Sequence, residues 1–378
     1  MSRVNYVTID SILSGVGASQ VAPYVSRLAD LGHRMTLLSY EHRDSLGVQD
    51  ELGFAWESRE FGSGRFAPYR RILQAKRFLD QRPADIVHAR SDLPALAALL
   101  SSRSPFIWDM RAFWREQRIE LEAIKSGSPT DRFLIALERR LAHGAANIIC
   151  LSDSAREVLV SRYGGQVADK TTVIPTLVDT EIFTPLRSWP EEERPLLLLS
   201  GTYNGFYDTE AIARIVEVFG EHREHEVLWA GGSEHSPLWQ RIKSRHRLAV
   251  QDVPFSEMPE LVRRSVFGLA VCKSRNPAPL AAAVPTKIAE FLACGRPVFV
   301  NAGLGDMDRM IREYRCGVIL GGADPDSITQ AVEEMLELLD DPEMPNRARR
   351  CALQEFDLAT GIAKISEMYQ AVPHAVDS

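Results

Sequence analysis

The stretch "VPTKIAEFLACGRPVFVN", residues 284–301, places Lys287 and Glu290 three positions apart near the start of what reads as a helix. At 100° per residue, Ile288, Phe291 and Leu292 share an apolar face, and the Lys-Glu pair falls on the opposite arc. Taken alone, the pair reads as an i,i+3 ion pair on a solvated face, worth about 0.2–0.5 kcal/mol. A second group is Ser14-Gly15-Val16-Gly17, set between a strand and a helix. It fits only part of the dinucleotide pattern, because Gln20 stands at the third glycine position. Its glycines would either let the backbone approach a phosphate at a helix N-terminus or serve a tight turn of the chain itself. Asp109 and Arg111 follow an apolar strand, and His88 ends another. Arg111 could hold a phosphate bidentately, or the Asp-Arg pair could brace its loop. His88 reads equally as a ligand-facing residue or a packed strand end. No Asp-x-Asp motif occurs, and His222, His225 and His235 lack a regular ligand spacing, so no metal site is expected. No nucleophile-elbow motif supports Ser-His-Asp catalysis.

Two stretches carry a family resemblance. In "TVIPTLVDTEIFTP", residues 172–185, Asp179, Phe183 and Pro185 keep the order and spacing of a turn found in the nucleotide-sugar glycosyltransferases of family four. Pro285, Lys287, Glu290, Ala293, Gly295, Pro297 and Val298 are similar to that family's donor-binding helix and the strand after it. The glycine turn, His88 in "DIVHARS" and "DMR" at 109–111 occur where the family places its cleft loops. The resemblance implies the GT-B fold: two doubly wound Rossmann-like α/β domains facing a cleft. It also implies transfer of a sugar from a nucleotide-diphosphate donor to a hydroxyl, with retention and without a metal or other cofactor. Glu290 would accept hydrogen bonds from the ribose hydroxyls, since each carboxylate oxygen can take one. Lys287 would neutralise the diphosphate, helped by the helix start at Thr286. Gly15, Gly17, Gly201 and Thr202 would line the donor, and His88, Asp109 and Arg111 would stand near the sugar or acceptor.

The chain departs from the family pattern twice. Ala282 occupies the position, eight before Glu290, where many members carry a sugar-binding glutamate; Asn276 or a backbone group would have to replace that contact. After the strand ending at Ser200, members often have Gly-Arg and then a lysine. Here Gly201 is followed by Thr202, and no basic residue appears until Arg214. Most of the positive charge at the phosphate would then fall on Lys287, with Lys273 and Arg275 as lesser candidates.

The elements needed to position these residues alternate strand and helix along the whole chain, the pattern of parallel sheets covered on both faces. Ligands in such folds lie beyond the C-terminal strand ends. The expected organisation is an N-terminal acceptor-side domain over 1–185, a Pro-rich charged linker at 186–195, and a donor domain over 196–350. A segment over 351–378 would cross back to the first domain.

Composition is that of a globular protein, 45% hydrophobic and 25% charged. The net charge of -7 argues against a dedicated nucleic-acid binder, which would show a basic excess. Residues 1–185 hold 23 Lys/Arg against 22 Asp/Glu, and the remainder 21 against 29. An anionic surface would therefore meet the first half. Two basic stretches lie there: Arg65, Arg70, Arg71, Lys76 and Arg77, and then Arg111, Arg115 and Arg118 with Phe113 and Trp114. They are either solvated helix faces or a surface for anionic lipid or a phosphorylated lipid acceptor. Five widely spaced cysteines without C-x-x-C, no signal-peptide pattern and no apolar run near 18 residues point to a reducing cytoplasm, with peripheral membrane contact as an option. Two alternatives remain open: a nucleotide-sugar epimerase using His88 and Asp109, and a non-catalytic partner that binds nucleotide sugar.

Overall fold

The computed structural model describes residues 1–45, 53–64, 66–186, 195–203, 205–243 and 247–372. The chain forms two compact units: Met1–Pro175 with Leu358–Ser378, and Thr176–Asp357.

The first unit is a seven-stranded, all-parallel sheet. Its strands are β1 (Arg3–Val7), β2 (Arg34–Glu41), β3 (Ala55–Glu60), β4 (Ile86–Arg90), β5 (Phe106–Asp109), β6 (Asn147–Cys150) and β7 (Thr171–Val173), in the order β3-β2-β1-β4-β5-β6-β7. The order reverses between β1 and β4. There the connections leave in opposite directions and open a crevice at the C-terminal strand ends. Register sets His88 beside Tyr6 and Arg90 beside Asp109. His88 and Arg90, two apart on one strand, therefore project from the same face. The helix expected after the glycine turn is broken at Val21, giving Gly15–Gln20 and Ala22–Asp30. Pro23 has no N–H to continue the first helix but suits the first turn of the second.

The second unit contains β8 (Leu196–Ser200), β9 (Glu226–Ala230), β10 (Arg247–Gln251), β11 (Gly268–Ala270), β12 (Val298–Asn301) and β13 (Gly317–Leu320). They form two parallel ladders, β10-β9-β8 and β11-β12-β13. A parallel bridge from Leu196 to Ser265 joins the ladders, so the second reversal lies between β8 and β11. Phe267 packs edge-on to both Phe219 and Phe299 at the centre of the core.

The helix Thr286–Ala293 buries Ile288, Phe291 and Leu292 as its periodicity requires. It stops at Cys294 because Gly295 turns to φ 71°, a conformation that glycine adopts without strain. The N–H groups of Gly295 and Arg296 close back on the carbonyls of Leu292 and Phe291.

The division between units differs from the expected boundary at 185. Segment 176–185 folds with the second unit because its polar groups are bonded there. Thr176 Oγ1 donates to the Val284 carbonyl at 2.6 Å, and Val178 N–H donates to that of Phe356 at 2.8 Å. Arg349 donates to the carbonyls of Thr180, Phe183 and Ala293. Residues 187–194 of the expected linker lie outside the described residues. The terminal helix Leu358–Ala371 belongs to the first unit, so the return begins at 358, not 351. All five cysteines are buried and unbridged.

Candidate active site

Two clusters stand at the two sheet reversals. In the first unit, Asp109 is the hub. Its Oδ1 accepts from Arg111 at 3.2 Å; its Oδ2 accepts from Arg90 at 3.4 Å and from His88 Nε2 at 3.4 Å. Burial alone would raise the Asp109 carboxyl, but Arg111, the hydrogen bond from His88 and Arg90 together hold it well below the usual carboxylate range. Arg90 also donates to Asp10 at 3.2 Å, and Asp10 accepts from Thr8 Oγ1 at 2.9 Å. Every charge in this knot has a partner.

His88 has no exposed surface. Its ring stacks on Tyr6, with centroids 4.3 Å apart, and its Nδ1 lies 2.7 Å from Tyr369 Oη. With Tyr369 donating to Nδ1, the Nε2 proton points at Asp109. Burial keeps the imidazole below its ordinary value and hence neutral. His88 therefore acts from behind Asp109, and the packed strand end is the reading the geometry favours. Arg111 retains partial exposure, 14% of its side chain, and can meet a ligand.

The glycine turn is held by a residue the sequence reading did not single out. Glu41, fully buried at the end of β2, accepts from Ile12 N–H at 3.0 Å and from Ser39 Oγ at 2.6 Å, and is bonded by Ser11 Oγ. An acid at the end of the second strand would bind a ribose in a dinucleotide domain; this one is spent on its own loop. Gly17 is required for the same reason: a Cβ there would lie 1.8 Å from the Ser11 carbonyl oxygen. Gly15 is exposed at φ 55°. The turn serves the chain's own conformation at Gly17 and, of its two glycines, leaves Gly15 open to solvent.

In the second unit the opposite situation holds. Lys287 is 8% exposed and Glu290 7%, so neither lies on a solvated face. They make no ion pair with each other among the described residues. The ammonium of Lys287 has no hydrogen-bond partner and instead sits over the rings of Tyr203 and Tyr207, 3.8 and 4.5 Å from their centroids. Burial pushes Lys287 down to about 7 and Glu290 up to about 7. Ser200 Oγ, at the end of β8, is likewise buried and unbonded. Thr286 is half-buried in the first helical turn, behind Pro285, which caps with no side-chain bond. Gly201, at φ 75°, and Thr202, which follow Ser200 in the chain, are exposed.

Asn276 Oδ1 accepts from Ala278 N–H at 2.9 Å, capping the helix Pro277–Ala281; that oxygen is committed to the backbone. Ala282 is buried at 1% exposure, where a glutamate side chain would need its own partners. Among the described residues, no group of three or more His, Cys, Asp or Glu is placed to hold a metal ion.

Comparison with known proteins identifies the frame. Residues 18–182 match the model of Glycosyltransferase Family 4. Sucrose-phosphate synthase of Thermosynechococcus elongatus superposes with a TM-score of 0.74 over 98% of each chain, at 13% identity. Anabaena HepE, solved with UDP and glucose, gives a TM-score of 0.70 over 98% of this chain and 100% of its own, at 14% identity. The chain has the GT-B fold. A proposed UDP-N-acetylglucosamine 2-epimerase of Listeria monocytogenes also superposes, with a TM-score of 0.65 over 99% of each chain at 12% identity. No curated protein sequence matches the chain. The family match and the GT-B fold together support a glycosyltransferase. The family match lies almost wholly in the first unit, while the unbonded Lys287 ammonium and the buried Glu290 lie in the second.

Proposed function

We propose that the chain is a nucleotide-sugar glycosyltransferase, retaining and metal-independent, whose donor is held by the second unit. The observation that carries this reading is Lys287: a buried ammonium with no hydrogen-bond partner, three residues from a buried carboxylate that makes no ion pair. A charge left unpaired in a protein interior is costly unless a ligand supplies the missing partner. A nucleotide diphosphate offers both complements, phosphate oxygens for Lys287 and a vicinal ribose diol for Glu290. That Anabaena HepE was solved with UDP and with UDP-glucose supports a donor of this class.

In the proposed reaction the bond between the anomeric carbon and the diphosphate oxygen breaks as an acceptor hydroxyl bonds to the same face. The hydroxyl proton passes to the leaving phosphate. Lys287, the N–H groups at 201–203 and the start of the helix Thr286–Ala293 stabilise the charge that develops there, electrostatic preorganisation of the kind that dominates such transfers. Arg111, partly exposed beside Asp109, is a cation of the first unit suited to a phosphate-bearing acceptor. The experiment is a thermal-shift panel of UDP-, GDP-, ADP- and dTDP-sugars, then mass spectrometry of products with candidate acceptors. Stabilisation by one nucleotide class, lost in Lys287→Met, is expected; no stabilisation by any of them sinks the reading.

The resemblance in fold to the Listeria protein keeps an epimerase as the second reading. Such a reaction needs a free acid and base beside the sugar. His88 is buried and Asp109 is bound by two arginines, which weighs against it. An isomerised sugar after incubation with donor alone would favour it.

We also propose that the acceptor side approaches a lipid surface through the helix Ala67–Gln81. Phe66, Tyr69 and Leu73 are 61–66% exposed, and Arg70 and Arg77 are exposed with them. At 100° per residue all five fall within about 100° of arc. Arg65 lies outside the described residues. The other basic stretch is used internally: Arg111 binds Asp109, Arg115 binds Asp131 and Glu116, and Phe113 is fully buried. Among the described residues no helix is long and apolar enough to cross a membrane. Flotation with anionic but not neutral vesicles, lost in Tyr69→Ser/Leu73→Ser, is expected; equal recovery without vesicles contradicts it.

A further inference from the structure

The chain lacks the arginine and lysine that similar enzymes place after β8, having Thr202 and no basic residue before Arg214. What that loop supplies instead is two aromatic rings. Tyr203 and Tyr207 stand edge to face, with centroids 5.0 Å apart, and the Lys287 ammonium lies over both. The loop is anchored. Tyr207 bridges antiparallel to Cys272, and Asp208 N–H donates to the Val271 carbonyl at 2.9 Å. Lys273 N–H donates to that of Phe206 at 2.9 Å, and Tyr203 Oη to that of Leu269 at 3.3 Å. The rings are thus fixed against the end of β11, and the flexible member of the cluster is the lysine stem.

An aromatic face attracts a cation through its quadrupole but carries no net charge, so it cannot neutralise one. The groups facing Lys287 are Glu290 on its own helix, Cys272 at the end of β11, and the two tyrosines. Burial draws Lys287 and Glu290 towards neutrality from opposite sides and pushes Cys272 up to about 12. Of these only Glu290 is a carboxylate, and it makes neither an ion pair nor a hydrogen bond with the amine.

We propose that Tyr203 and Tyr207 are positioning residues that park Lys287 without a counter-ion beside the phosphate position, so that capture of a nucleotide diphosphate proceeds with uptake of one proton by the Lys287 amine. This rests on the donor reading above. The proton comes from solvent and forms an N–H bond at Nζ; the diphosphate then supplies the counter-charge that the rings cannot.

Two measurements test it, and the first needs no ligand. The 13Cε resonance of Lys287, assigned with Lys287→Met in lysine-labelled protein, is followed from pH 5 to 10. A midpoint near neutrality is expected in the wild type and in Tyr203→Phe/Tyr207→Phe, which keeps both rings. A rise of at least about one unit is expected in Tyr203→Leu/Tyr207→Leu, where water can reach the amine. An ordinary lysine midpoint in the wild type overturns the parking site whether or not any nucleotide binds. The second is calorimetric titration with UDP, GDP, ADP, dTDP and inorganic pyrophosphate at pH 8, in Tris and in HEPES. Binding with close to one proton taken up is expected in the wild type and the Phe pair. In the Leu pair, weaker binding by about tenfold and little uptake are expected. Tight binding without uptake in the wild type overturns the proposal and leaves the donor reading intact. No binding of any of these alongside a near-neutral midpoint overturns the capture step and the donor reading together.

Discussion

The two sheet reversals treat buried charge in opposite ways. Around Asp109 each group has a partner: Arg111 and Arg90 on the carboxylate, His88 behind it, Tyr369 behind His88. Around Lys287 and Glu290 the burial is similar, but the ammonium has no hydrogen-bond partner and the two make no ion pair among the described residues. A satisfied knot holds strand ends in place. A buried charge without a hydrogen-bond partner costs stability, and retaining such a cost is what a binding site does. The contrast separates structural from ligand-binding polar groups without reference to where either lies in the chain.

Removing the hub should show the largest effect. Asp109→Ala takes from the buried Arg90 one of its two carboxylate partners and from Arg111 and His88 the acceptor they share, and should destabilise the protein by about 3–5 kcal/mol in urea unfolding. A loss below 1 kcal/mol would mean the knot is not structural. The second unit should respond with the opposite sign. Lys287→Met/Glu290→Gln should stabilise the ligand-free protein by about 1–3 kcal/mol at pH 7, while weakening nucleotide binding by tenfold or more.

The pH dependence of that gain has a definite shape. Lys287 binds a proton less readily folded than unfolded, so its contribution to stability rises with pH between about 7 and its ordinary 10.5. Glu290 holds its proton more strongly folded, so its contribution falls between its ordinary 4.5 and about 7. Together they give a minimum near pH 7, which the double variant should lack when unfolding is followed from pH 5 to 9. An unchanged profile would place both groups in contact with water.

Smaller effects belong to the glycine turn. Gly17→Ala forces a Cβ onto the Ser11 carbonyl and should cost about 1–3 kcal/mol. Gly15→Ala, with open space around it but φ 55°, should cost about 1 kcal/mol. If the two cost the same, the turn's glycines are there for backbone conformation alone.

How much of this was legible beforehand depends on the kind of signal. Periodicity marked the strands because each is an apolar run bounded by turn residues; Leu196–Ser200 and Glu226–Ala230 fall where the pattern puts them. The helix Met344–Glu355 was not recognised, because arginines and Asn346 interrupt its apolar face. The boundary near 185 was misplaced because Pro and charge at 186–195 read as a linker. The bonds that tie 176–185 to Val284, Arg349 and Phe356 join residues about a hundred or more positions apart and leave no local trace. Lys287 and Glu290 were found by spacing and resemblance. Their burial was not, since a helix wheel cannot show that aromatic rings cover the polar arc. Tyr203, Tyr207, Glu41 and Tyr369 were missed for the same reason: their roles depend on contacts made across the fold.

The most direct test of the central claim is a crystal structure of the protein with whichever nucleotide sugar stabilises it. Phosphate oxygens within hydrogen-bond distance of Lys287 Nζ, with the ribose hydroxyls on Glu290, are the predicted result. A fully ordered nucleotide bound elsewhere, with Lys287 still against Tyr203 and Tyr207 and no contact to Glu290, would contradict it.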